Sequence, residues 1–151
     1  MTRETEQLAE IMRQRHDRLA NISYLCRRQF ELIEAGDLGA LLKVLSSKQR
    51  LLGELQSLER ALDPFRDQRP EERQWSSLER REACSRDAAE GNRLLKEIFQ
   101  IEQRSSALLH ERRDAAAAGL ARLHSAQEAC GAYLAGPAVV PASRLDLTSE
   151  V

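Results

Sequence analysis

The chain has 151 residues, of which 42% are hydrophobic and 31% charged but only 4% aromatic, a profile of long helices and helical bundles with an aliphatic core. A formal net charge of −1 and a pI near 6.3 leave no basic field, which argues against nucleic acid as the main partner. No run approaches the ~18 consecutive apolar residues of a membrane span, and the opening MTRETEQLAE has no signal-peptide core, so the expected location is cytoplasmic, without membrane insertion.

The first segment, about 3–35, places Leu8, Met12, Leu19, Ile22, Cys26 and Ile33 at alternating spacings of three and four, the signature of a helix with one buried face. Arg15 and Gln29 interrupt that seam, which suggests either a seam near solvent or a device that fixes register. Glu34-Ala35-Gly36-Asp37 then breaks the pattern: Gly36 can take the left-handed conformation that closes a helix and Asp37 can cap the next. So short a turn predicts an antiparallel hairpin.

The second segment, about 38–62, repeats Leu38, Leu41, Leu45, Leu52, Leu55 and Leu62 on one seam, with Lys48 inside it. So many leucines need at least two neighbouring helices to cover them. Asp63-Pro64 ends the segment, since the residue before proline is driven out of helical geometry. A loop over 65–69 follows, and Pro70 with Glu71-Glu72 suits the first turn of a third helix.

That third helix is expected over about 71–134, with Trp75, Leu78, Cys84, Ala88, Gly91, Leu95 and Ile98 keeping the bundle period. Gly91 in mid-helix is unfavourable by roughly 1 kcal/mol relative to alanine, and its place on the apolar face points to close helix approach. Running back along the second helix, the third draws level with Gly36 near residue 103. Residues 104–134 then extend about 45 Å further, carrying an alanine-diluted stripe of Leu108, Leu109, Leu120, Leu123 and Cys130 that no other segment can cover. The run 115–118 favours continuous helix and only Gly119 argues for a break. The fold expected is all-α: an antiparallel three-helix bundle or coiled coil whose long third helix extends past the hairpin. Beyond it, 136–151 reads as a flexible tail, with a proline-containing linker at 136–143 and an end that is either disordered or a docking element using Leu145 and Leu147.

No pattern in the chain carries catalytic chemistry. There is no glycine-rich phosphate loop, nucleophile elbow or zinc spacing, so no cofactor, metal ligand or catalytic residue is assigned and the chain is not expected to be an enzyme. Cys26, Cys84 and Cys130 are odd in number and far apart, and read as reduced helix residues. His16, His110 and His124 read as structural or solvated; the last two share a face about 21 Å apart. Glu82 with Arg86 and Glu90 with Arg93 fall at ion-pair spacing, and the doublets Arg27-Arg28, Arg80-Arg81 and Arg112-Arg113 read as solvated faces without an aromatic platform. Asn21-Ile22-Ser23 matches a glycosylation sequon by chance, inside a helix.

The turn Gly36-Asp37 followed by Leu38, Leu41-Leu42, Lys48, Leu51-Leu52 and Leu55, together with Glu90-Gly91-Asn92-Arg93-Leu94-Leu95, resembles the FlgN-type bacterial flagellar export chaperones over about 8–101. The resemblance implies a cytoplasmic chaperone that keeps flagellar hook-associated proteins unassembled and delivers them to the type III secretion apparatus. It also implies that the C-terminal part of the third helix, here Ser105 to Leu134, takes up a helical end of the substrate. The expected partner-binding residues are Leu108, Leu109, Leu120, Leu123, Cys130, Tyr133 and Leu134. The same stripe admits a different reading, a structural coiled-coil adaptor that self-associates through the third helix as a homodimer, although Arg112 and Gln127 break its seam.

Overall fold

The computed structural model describes the backbone of residues 2–144 and the side chains of 3–135. It is all-α: α1 (Thr2–Ala35), α2 (Leu38–Ala61), the single turn α3 (Asp63–Arg66), a 3-10 turn (Pro70–Glu72) and α4 (Leu78–Arg144). The chain separates into two units, Met1–Leu108 and Leu109–Val151.

The hairpin forms as its turn residues dictate. Gly36 has φ +73°, and the Gly36 and Asp37 amides donate to the carbonyls of Ile33 and Leu32 at 3.2 and 3.1 Å, which closes α1 with paired left-handed-cap hydrogen bonds. The Asp37 carboxylate accepts from the Ala40 amide at 3.1 Å, satisfying one of the orphan donors at the start of α2.

In the first unit α1, α2 and the first part of α4 form an up-down-up bundle with three core clusters along its length. Leu8 and Ile11 meet Leu62, Phe65 and Cys84 at one end. Ile22 and Cys26 meet Leu51, flanked by Ile98 and Ile101, in the middle, and Leu32, Ile33 and Leu41 meet Leu108 beside the hairpin turn. Leu19, Ile22 and Cys26 are the most deeply buried apolar side chains, at 0–1% exposure, and each leucine or isoleucine so buried contributes about 1.5–3 kcal/mol.

The connection between α2 and α4 departs from the sequence expectation. Helix does not start at Pro70: one 3-10 turn is followed by extended backbone at Arg73 (ψ 134°), and α4 begins only at Leu78. Trp75 therefore lies on the connection, not on a helix. Tertiary contacts override the helix-start signal. The Thr5 hydroxyl donates to the Gln74 carbonyl at 2.8 Å, Arg73 Nη2 donates to the Phe65 carbonyl at 2.6 Å, and Trp75 packs on the first core cluster. The Ser77 hydroxyl then accepts from the Arg80 amide at 3.2 Å and caps α4.

Two further expectations are revised and one is kept. The bundle boundary lies at 108/109, not near 103, because Ser105 is buried and Leu108 packs on the third core cluster. As the alanine run 115–118 favours, Gly119 does not break α4, which is continuous. The linker expected at 136–143 is helical backbone instead, since α4 runs through Pro137 and Pro141 to Arg144. Residues 145–151, with Leu145 and Leu147, lie outside the described residues.

Candidate functional site

The polar residues that break the bundle seams are paired in two layers, each drawing on all three helices. In the first, Arg15 is 7% exposed; its Nε donates to Glu59 Oε1 at 2.6 Å and its Nη2 to Asn92 Oδ1 at 3.3 Å. Glu59 also holds Arg66 at 2.7 Å. Gly91 makes room for this layer: a Cβ there would collide with the Arg15 guanidinium and stand 3.4 Å from Leu19 Cδ1. The close approach expected at Gly91 is thus a side chain of α1 lying against bare α4 backbone.

In the second layer Lys48 Nζ donates to Gln29 Oε1 at 2.7 Å and to Glu102 Oε1 at 2.5 Å, and the Cys26 thiol donates to Glu102 Oε1 at 3.0 Å. Burial, reinforced by the Glu102 carboxylate, pushes the Cys26 thiol up to about 12. That makes it a poor source of thiolate. Burial raises the Glu102 pKa, but the Lys48 and Cys26 hydrogen bonds and the Lys48 charge outweigh it and hold the carboxyl below its ordinary value. Both layers serve the bundle: every charge in them has a partner on another helix.

The second unit is built differently. From Leu109 to Ala135 every residue is exposed except Gly119, which is half-buried. Leu109 is 44% exposed, Leu120 67%, Leu123 55%, Tyr133 73% and Leu134 69%; Cys130 is free and exposed. Leu109, Leu120, Leu123, Cys130 and Leu134 recur at multiples of the three-and-four spacing and share one side of the helix, while Tyr133 lies at its margin. Leu108 does not belong with them, because its side chain is half-buried against Leu32, Ile33 and Leu41. With no buried face, this part of α4 is helical by propensity: nine alanines between 109 and 135 favour it, against Gly119 and Gly131.

The leucines of α2 are less covered than their number predicts. Leu38 and Leu42 are 69% and 67% exposed, and on α4 Phe99 is 64% exposed. Of the expected seam, Leu41 and Leu62 are buried while Leu38 and Leu45 are exposed, and Leu51 beside it is buried: α2 has more apolar positions than its neighbours can enclose. Of the expected ion pairs, Glu90–Arg93 forms at 2.5 Å; Glu82 and Arg86 form none among the described residues, and Arg93 instead also reaches Glu97 at 3.2 Å. His124 sits 3.1 Å from Glu128 on the exposed helix, and His16 lies 3.7 Å from Asp17. Among the described residues no three His, Cys, Asp or Glu side chains gather as a metal site, and no helix is long and apolar enough to cross a membrane. No family model, curated protein or solved structure matches the chain.

Proposed function

We propose that the chain is a cytoplasmic export chaperone of the FlgN type, which binds flagellar hook-associated proteins, prevents their premature assembly and delivers them to the flagellar type III secretion apparatus. The observation that carries the reading is the exposed, one-sided apolar stripe of Leu109, Leu120, Leu123, Cys130 and Leu134 on a helix that buries no face. An amphipathic helical end of a cargo laid along that stripe gives each apolar side chain a partner. Each leucine covered contributes about 1.5–3 kcal/mol, offset by the ordering of both chains. Binding of this kind is reversible, and release requires no chemistry from the chaperone. The Gly36-Asp37 turn, Lys48 and Asn92, on which the family resemblance rests, all lie in the bundle, where they cap or pair across helices.

Co-purification from the native cytoplasm tests the reading. A hook-associated protein is expected to accompany the full chain and to be lost from the double variant Leu120→Ser, Leu123→Ser. Retention of such a cargo by the double variant would remove the stripe from the site, and absence of any hook-associated protein from the wild-type preparation would remove the function.

A further inference from the structure

Two adjoining cavities lie at the end of the bundle where the connection between α2 and α4 crosses α1, entirely within the first unit. The larger, about 570 Å³, has a polar wall that includes Glu4, Asp67, Arg69, Glu72 and Gln74. The smaller, about 460 Å³, is walled by Met12, Leu62, Trp75, Cys84 and Ala88, and its charged residues are three arginines, Arg66, Arg73 and Arg81, with no carboxylate. The two share Leu8, Phe65, Gln68 and Arg73. Both are clefts open to solvent, of a volume that accommodates small ligands.

The three arginines differ in what they already hold. Arg66 is paired with Glu59 at 2.7 Å and Asp63 at 3.0 Å. Arg73 donates to the Phe65 carbonyl at 2.6 Å and to Gln68 Oε1 at 3.4 Å. The Arg81 side chain has no ion pair or hydrogen bond among the described residues. A cleft that sets Leu8, Met12, Leu62 and Trp75 beside a cationic, carboxylate-free wall with one unpaired guanidinium is complementary to a ligand that joins an apolar group to an anion.

We propose that these cavities bind the C-terminal end of a peptide whose last residue is apolar. The terminal side chain fills the smaller cavity against Leu8, Met12 and Trp75, the terminal carboxylate takes Arg81, and the preceding main chain enters the larger one. The second cavity decides between a peptide and an acyl carboxylate. Peptide units need donors and acceptors, which Gln68, Gln74 and Arg69 supply in the larger cleft, while an acyl chain has no groups to pair with them. The site is separate from the stripe on α4 and stands without the chaperone reading.

Trp75 is the only tryptophan of the chain and lines the smaller cavity, so its emission reports occupancy directly. The full chain is titrated with acetyl-Gly-Ser-Ala-Leu bearing a free carboxyl terminus, with its C-terminal amide and with octanoate. A saturable change in Trp75 emission is expected with the free acid, at least about tenfold weaker with the amide, with octanoate and in Arg81→Gln. Arg81 is exposed, so Arg81→Gln keeps the fold, and the amide comparison needs no variant. A non-saturable response to the acid, equal binding of acid and amide, or octanoate binding as tightly as the peptide would each overturn the proposal.

Discussion

Residues 8–108 and 109–135 carry apolar stripes of the same helical period, yet treat their side chains in opposite ways. In the bundle, Leu19 and Ile22 are closed off and even charged Arg15 is 7% exposed. In the second unit Leu120 and Tyr133 are 67% and 73% exposed. Period alone therefore separates helix from strand but not core from exposed surface; the difference lies in whether other helices supply facing side chains. A buried charge within the bundle is tolerated because a partner on another helix meets it, and an exposed leucine outside it is tolerated because the helix stands on propensity.

The largest expected contrast is in stability. Leu19→Ala, which empties a fully enclosed site, is expected to destabilise the protein by about 2–5 kcal/mol, whereas Leu120→Ala changes it by less than about 0.5 kcal/mol. Urea unfolding of the two variants measures both, and equal effects would dissolve the distinction between the units. Lys48→Ala comes next, at about 1–2 kcal/mol, discounted because the Glu102 side chain is 38% exposed. The loss should shrink when Glu102→Gln is already present, since the charge left unpaired is then gone; an additive double variant would show that the layer does not act as a unit.

A smaller effect is expected from pH. Glu102 has a folded-state pKa below its ordinary 4.5, so its contribution is fully present above that ordinary value and is lost as pH falls through the lowered folded value. Comparing unfolding free energies at about pH 7 and about pH 3, the wild type should lose more stability than Glu102→Gln. An unchanged pH dependence in the variant would assign the acid sensitivity to other carboxylates.

Much of the bundle is legible in the sequence because its signals are local. Gly36 and Asp37 announce a left-handed residue and a cap within four positions, and the structure uses both. Arg15, Gln29 and Lys48 are visible as seam breaks, but their partners Glu59, Asn92 and Glu102 are brought to them by packing between distant segments, which no local pattern encodes. Trp75 lies off the helix for the same reason: Pro70-Glu71-Glu72 carries a sound helix-start signal, and Thr5, 69 residues from Gln74, holds the backbone out of helix. The exposed stripe was legible except for Leu108, whose assignment depended on where the hairpin turn stood relative to α4. A one-turn error in that level suffices to exchange a core leucine for an exposed one.

Hydrogen exchange on the full chain, alone and with a purified hook-associated protein, tests the central claim most directly. The account predicts fast exchange over 109–135 in the free protein, as expected of a helix without tertiary support, slow exchange over 19–33, and protection gained on adding cargo at 109–135. Protection gained only within 1–108, or none, would contradict the assignment of the exposed stripe on α4 as the surface that holds the cargo.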